Sequence, residues 1–329
     1  MPNFNPDYIL LDGYNMCHKR FNALHRFTSR DGMPTGMIFG MVNSLISFSK
    51  AFPDSKFICC FDKSAINNKR EFCPEYKQNR KTPPVPFIVQ LKIVKELLPC
   101  FGILCVEQAG LEADQLLATY AKKLDGKKLI VTEDKDLAQC VNDNVHLYQK
   151  PKKKWVQVDE AAVMERYGVP PNKIADWLAL GGDTADNIPG IHGIGLSTAR
   201  ELLKTHVNAK DIFQDPTVTN NPRYKGVFTS ESAKEIDNLL KLTSLPGDID
   251  VPIPEFPQLN LDKAKFIMES LELKFVLEKV KLLYPQHTFK DIPPTEQDKI
   301  SDILHIQIFT DKRPYFVQKQ PEWDNVPEL

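Results

Sequence analysis

The chain has 329 residues with 42 lysines and arginines against 43 aspartates and glutamates, for a net charge of −1; that length supports one large α/β domain plus a smaller one, or two medium domains, and the near-neutral balance argues against a generic binder of polyanions. No apolar run approaches the ~20 residues of a membrane span, and the opening MPNFNPDYILLDG lacks the charged-then-apolar layout of a secretory signal, so a soluble, cytoplasmic protein with no membrane partner is expected. Seven cysteines, an odd number without a CxxC pair, point to neither a zinc site nor a complete disulfide framework.

In chain order, short apolar runs recur at Tyr8 to Leu11, Lys56 to Phe61, Ile103 to Val106 and Leu129 to Val131, each ending on an acidic residue or a turn. Near-continuous apolar strands separated by helix-length segments predict a parallel sheet covered on both faces. Met37 to Ala51 and Glu112 to Leu124 carry apolar stripes at helical spacing. Such sheets bind ligands outside the carboxyl ends of their strands, where Asp12, Asp62 and the Asp134 region fall. Between Lys63 and Pro86 six Lys or Arg stand against two Glu, with three prolines from Pro83 onwards, so a basic excursion from the sheet is expected.

After Trp155 the pattern turns helical: Asp159 is expected to cap Glu160 to Tyr167, and Asn172 to cap Lys173 to Leu180. Stretches near 215 to 223 and 246 to 258 read as loops, Leu261 to Leu271 and Phe275 to Leu283 as helices. The tail from about Gln286 has weak periodicity and is expected to pack loosely.

Eight acidic residues fall in five short clusters: Asp12; Asp62; Glu112 and Asp114; Asp134 and Asp136; Asp183 and Asp186. Singly, an Asp at a strand end is more often a cap or turn residue. Gathered in one concave site, carboxylates repel unless a cation neutralises them, and hard oxygen ligands select Mg²⁺ or Mn²⁺ over zinc. That arrangement suits two-metal phosphodiester hydrolysis without a His or Cys nucleophile.

Gly190, Gly193 and Gly195 precede a helix starting near Ser197 and Thr198. Glycines permit close backbone approach and helix-start amides bind phosphate, a helix-hairpin-helix-like signature for gripping a DNA backbone. In the basic excursion Lys69, Arg70, Lys77, Arg80 and Lys81 interleave with Phe72 and Tyr76. Both a solvated face and a single-strand channel fit that run.

With these residues assembled, the chain resembles the 5′ nuclease family: the 5′→3′ exonuclease domain of bacterial DNA polymerase I, the phage 5′ exonucleases and, more distantly, the flap endonucleases. The resemblance runs over about residues 7 to 285 and rests on LLDGYN, CFD, EYKQNR, EAD, TEDKDLAQ and, above all, YGVPPNKIADWLALGGDTADNIPGIHGIGLSTARELL from Tyr167. It implies a PIN-like α/β nuclease domain over 1–165 with a basic arch at about 63–90. A mainly helical helix-three-turn-helix DNA-binding domain over 166–285 and a C-terminal tail over 286–329 would follow.

Carried over by motif, Asp12, Asp62, Glu112, Asp114 and Asp134 are expected as ligands of a first metal cluster or their close support, and Asp136, Asp183 and Asp186 as the second. Lys77 and Arg80 are expected at the scissile phosphate. Lys69, Arg70, Tyr76, Gly190, Gly193, Gly195, Ser197 and Thr198 are expected to contact DNA, with K⁺ at the glycine turn.

The implied activity is 5′→3′ exonuclease and 5′-flap endonuclease cleavage, with two or more Mg²⁺ (or Mn²⁺) ions. Its substrates would be flaps, nicked or gapped duplexes and single-strand/duplex junctions, with RNA/DNA hybrids as a further one. The enzyme would be a monomer acting at DNA in a bacterial or phage-infected cytoplasm. Where many bacterial and phage members read EADD, this chain has Gln115, so altered metal affinity is expected. No polymerase domain follows, and a stand-alone enzyme is expected. The competing readings are a flap-binding protein with little catalysis, which predicts missing ligands, and a metal-dependent ribonuclease on the same fold.

Overall fold

The computed structural model describes residues 4–63, 69, 72–79, 81–150 and 154–305, with side chains to 301. Its sheet has six strands, β1 (Tyr8–Asp12), β2 (Lys56–Cys60), β3 (Leu104–Val106), β4 (Lys128–Val131), β5 (Val145–Gln149) and β6 (Val156–Val158), in the order β3-β2-β1-β4-β5-β6. All neighbours run parallel except β5 and β6. The central strands YILLD, KFICC and KLIV are the apolar runs of the sequence, and a strand without a polar face is stable only when covered on both sides. Strand order reverses at β1, so the crevice between the carboxyl ends of β1 and β4 is a topological switch point. Register places it: Asp12 lies beside Cys60 of β2, and Leu11 beside Val131 of β4.

The helices are α1 (Gly13–Ala23), α2 (Gly36–Ala51), α3 (Val85–Leu97), α4 (Ala113–Lys123), α5 (Glu160–Tyr167), α6 (Ile174–Gly181), α7 (Leu196–Thr205), α8 (Ala209–Gln214), α9 (Pro216–Thr219), α10 (Ser230–Thr243), α11 (Leu261–Ser270), α12 (Lys274–Leu283) and α13 (Pro294–His305). Helix α4 lies against β1, β2 and β4 and buries Leu116, Leu117 and Tyr120 with Leu10, Ile58 and Ile130 in one core. Each such side chain contributes roughly 1.5–3 kcal/mol by leaving water.

Chain packing defines two compact units. One comprises Met1–Lys19, Phe48–Pro83 and Gly102–Pro257; the other comprises Arg20–Ser47, Pro84–Phe101 and the chain from Gln258 onwards. Within the first, Gln139 ties the chain after β4 to α10, donating to the Thr243 carbonyl at 3.1 Å and accepting from the Leu245 N–H at 2.8 Å. The Thr243 hydroxyl reaches the Ala175 carbonyl of α6 at 3.0 Å. Within the second, Gln90 accepts the Met37 N–H at 2.8 Å and Lys279 reaches Asn43 at 2.7 Å. Among the described residues no helix is long and apolar enough to cross a membrane.

Several elements depart from expectation. Asn172 caps nothing: Pro171 presets a 3-10 turn over Pro171–Lys173, and α6 starts behind it at Ile174. The Asp159 cap is present, accepting the Ala162 N–H at 2.9 Å. Prolines 84 and 86 open a helix rather than extending the basic excursion, since a first turn has no use for their missing N–H, so residues 85–90 are helical. The 215–223 stretch contains α9, capped by Asp215, and a 3-10 turn that buries Tyr224. The tail holds α13, with Ile292 and Ile300 buried.

Candidate metal centre

All eight acidic residues lie in the first compact unit. Asp12 ends β1 and is buried. Its Oδ2 accepts the Thr132 hydroxyl at 2.8 Å from the end of β4, and its Oδ1 accepts the Asn15 N–H at 3.1 Å. Asp62, just beyond β2, accepts the Ala113 N–H at 2.7 Å and so holds the start of α4. That helix presents Glu112 and Asp114. Gln115 is a capping residue: its side-chain oxygen accepts the Glu112 N–H at 3.0 Å, which closes the helix start beneath the site. Thr132 also accepts the Asp134 N–H at 3.0 Å, and Asp134 Oδ1 accepts the Asp136 N–H at 3.0 Å, so the TEDKD turn is folded on its own polar groups.

Asp136, Asp183 and Asp186, all buried, bring one carboxylate oxygen each within 4.8 Å of one another. Asp183 is fixed by a paired backbone bridge to Ile188, 2.8 Å in each direction, and its Oδ1 takes Lys135 Nζ at 2.7 Å and the Ala185 N–H at 3.0 Å. Asp136 Oδ1, by contrast, is buried and has no hydrogen-bond partner. An orphaned oxygen on a carboxylate grouped with two others is costly unless a cation completes it, and three hard oxygens suit a divalent ion. The residues present therefore fit such a metal.

Electrostatics join the two groups. Burial pushes the Asp12 carboxyl up to about 7, aided by Asp134 and Asp62 and opposed by the Thr132 hydroxyl. Asp114 is pushed up to about 6, by burial against the pull of Lys69. Asp134 is raised by burial, with Asp186 adding to it, and Asp136 is raised far more, by burial and then by Asp134, Asp183 and Asp186. Glu112 runs the other way: burial would raise it, but Lys77 and Lys69 outweigh burial and hold it below the usual carboxylate range.

Lys77 Nζ lies 2.5 Å from Glu112 Oε1 and 3.7 Å from Asp186 Oδ2. Lys69, only 7% exposed, stands 3.4 Å from the same glutamate. Tyr76 is 1% exposed, donates its hydroxyl to Glu112 at 3.1 Å and lies under both ammonium groups. Tyr76 and Lys69, expected to face a nucleic acid, thus point into the carboxylate site. Phe72, not Tyr76, is the exposed ring, with Lys241 Nζ 4.8 Å from its centroid. Arg70 and Arg80 lie outside the described residues.

Glycines flank the Asp183–Asp186 segment: Gly182 precedes it and the Gly190–Gly195 turn follows it. Gly182 and Gly190 both have positive φ, 80° and 70°, and pack so closely that a methyl on Gly190 would meet the Gly182 nitrogen at 2.4 Å. Gly193 has φ 84°, and Gly195 precedes α7 with nothing within 4 Å of where its Cβ would be. Ser197 is exposed and Thr198 half-buried in the first turn of α7, whose leading N–H groups have no intrahelical acceptor.

Reading the sequence missed Lys135 and Thr132, which hold Asp183 and Asp12. Their signal was a lysine enclosed by Asp134 and Asp136, and a threonine ending a strand beside an acidic one.

A buried carboxylate cluster at the switch point of a parallel sheet, built for divalent cations, defines a metal-dependent nuclease of the phosphodiester-hydrolase kind. Residues 7–168 match the family described as 5′-3′ exonuclease, N-terminal resolvase-like domain, and residues 169–265 match 5′-3′ exonuclease, C-terminal SAM fold. The 5′-3′ exonuclease of Aquifex aeolicus (strain VF5) is 32% identical over 284 residues, covering 84% of this chain and 96% of that relative. The thermostable DNA polymerase I of Thermus aquaticus is 31% identical over 306 residues; the match covers 89% of this chain but only 35% of the polymerase. Among solved structures, T5 5′-exonuclease with bound zinc superposes with a TM-score of 0.61 at 19% identity, covering 83% of this chain and 98% of that one. Flap endonuclease-1 from Methanococcus jannaschii gives 0.56 at 19%, covering 86% and 92%. At such identities the structures speak for the fold. The chain belongs to the 5′-3′ exonuclease family.

Proposed function

We propose that this protein is a Mg²⁺- (or Mn²⁺-) dependent 5′→3′ exonuclease and structure-specific 5′-flap endonuclease of DNA. It acts as a monomer in the cytoplasm on flaps, nicked or gapped duplexes and single-strand/duplex junctions, and RNA in RNA/DNA hybrids is a further substrate. The observation that carries the reading is the triad Asp136, Asp183 and Asp186, with an orphaned Asp136 oxygen, beside the Asp12 and Asp134 carboxyls. When bound, the ions supply a nucleophilic hydroxide and neutralise charge on the attacked phosphate.

Asp12, Asp62, Glu112, Asp114 and Asp134 hold or support one metal group, and Asp136, Asp183 and Asp186 hold the other. The Lys77 ammonium, between Glu112 and Asp186, pairs with a phosphate oxygen that enters the cluster, and Arg80 serves the same scissile phosphate. Lys69 and Tyr76 act on the substrate through Glu112. The amides from Gly193 to Thr198 take duplex phosphates, and carbonyls of the Gly190–Gly195 turn take K⁺. The division of labour is a nuclease domain over 1–165 and a DNA-gripping domain over 166–285.

The test is single-turnover cleavage of a 5′-labelled flap duplex with Mg²⁺, with EDTA, and with Asp183→Asn/Asp186→Asn beside wild type. Metal-dependent flap release that the double variant loses is expected. Tight binding without cutting by wild type would overturn the reading in favour of a junction-binding protein.

A further inference from the structure

Two of the three described residues other than glycine with positive φ, Lys77 at 54° and Asn187 at 58°, meet across one seam between the basic segment and the turn that carries Asp186. The Lys77 N–H donates to the Asp186 carbonyl at 3.0 Å. Asn187 Nδ2 donates to the Glu75 carbonyl at 3.0 Å, and Asn79 Nδ2 reaches Asn187 Oδ1 at 3.5 Å. Asparagine tolerates the left-handed region, whereas a lysine rarely adopts it. Such conformations persist where the surroundings over-determine them, and they gather at functional sites.

We infer that Asn187 is a positioning residue for the Lys77 ammonium, an inference that rests on the nuclease reading above. A lysine on a four-carbon stem has many rotamers, and the ion pair with Glu112 fixes only its far end. The near end is fixed by the seam. Asp186 is its pivot: the carboxylate belongs to the metal triad while the carbonyl holds the Lys77 main chain. The Asn187 amide spans the turn on either side of Lys77, touching Glu75 and Asn79, so the lysine and the triad keep one spacing. Without that amide the Glu75 carbonyl loses this donor, and the turn carrying Lys77 can swing about the bond to the Asp186 carbonyl.

The test uses the full chain with Asn187→Gly, which is compatible with the left-handed backbone and removes the side chain with its amide. Single-turnover flap cleavage is measured in the wild-type and Lys77→Ala backgrounds, the slow variants being followed over hours, with Mn²⁺ binding read by electron paramagnetic resonance. In the wild-type background the rate constant is expected to fall by about tenfold, while flap affinity and Mn²⁺ binding move less than about twofold. In the Lys77→Ala background the same substitution is expected to cost less than about twofold, because the group it places is gone. Equal losses in both backgrounds, or no loss in the first, would overturn the inference. Should Asn187→Gly fold poorly, Asn79→Ala, which removes the other partner of the amide, must show the same dependence on Lys77, and an equal loss in both backgrounds sinks the inference. A wild-type protein that never cuts would remove the nuclease reading as well; one that cuts while Asn187→Gly matches it removes this inference alone.

Discussion

The two carboxylate groups of this site are finished to different degrees. Around Asp12, Asp62 and Glu112 the fold supplies the donors itself: a threonine hydroxyl, main-chain amides, two lysines and a tyrosine. Around Asp136, Asp183 and Asp186 it supplies Lys135 and the Ala185 amide to Asp183, and Tyr76 and Lys77 to Asp186, but leaves Asp136 Oδ1 with no partner among the described residues. One group is held by the protein's own donors; the other leaves one oxygen for a cation to complete. The difference teaches that a site can be assembled before its metals arrive and still keep one position whose energy is recovered only on binding.

The sharpest way to break this comparison is Asp136→Asn. Cleavage is expected to fall by on the order of 10²–10³-fold in single turnover, because the second group loses a charge that faces the reaction. At the same time the melting temperature in EDTA should rise, since a buried carboxylate repelled by three aspartates has been neutralised. A lower melting temperature would show that Asp136 is satisfied in the metal-free protein.

Next in size is Lys77→Met, which leaves Glu112 buried with one ammonium fewer. A stability loss of roughly 3 kcal/mol by urea unfolding is expected, less if Lys69 compensates. Adding Glu112→Gln should restore much of the stability and none of the activity.

The pH dependence of the metal-free protein follows from Asp12 and Asp114. Their folded values, about 7 and about 6, stand above the ordinary 3.8 of an aspartate, so folding favours their protonated forms. Their contribution is whole below about pH 4 and is lost as pH rises through 6 and 7. Thermal unfolding in EDTA should show stability falling from pH 5 to 8 on their account, and saturating Mg²⁺ should flatten that slope. A rise over the same range would place the pH dependence elsewhere.

The smallest effect is expected from Gln115→Ala, about 1 kcal/mol from the lost cap on α4, with the cleavage rate of folded protein unchanged. A large loss of rate would make Gln115 part of the reaction after all.

Much of this was legible in the residues because apolar strands and their acidic ends obey strong local rules. β1, β2 and β4 are runs such as YILLD and KLIV that have no other stable home than a covered sheet, and Asp12, Asp62 and Asp134 follow from where those runs stop. β5 was hidden because VHLYQ turns a glutamine inward among only two apolar residues. α1 was hidden because its buried residues are just Gly13, Met16 and Cys17. The inward turn of Lys69 and Tyr76 could not be seen from composition, which reads lysine and tyrosine among basic residues as surface; their burial depends on Glu112, distant in sequence, standing there to receive them. Nor does local pattern reveal that α3 falls in one compact unit with the chain from Gln258 onwards.

The back-to-back contact of Gly182 and Gly190 divides the turn into a part that can be redesigned and a part that cannot. Any side chain at 190 would drive into the amide just before Asp183 and shift a carboxylate of the triad. Gly195 has open space where a Cβ would go, and Ser197 beside it is exposed. On the proposed reading, changes that tune the hold on a duplex are thereby channelled to the start of α7, where a new side chain leaves the triad undisturbed.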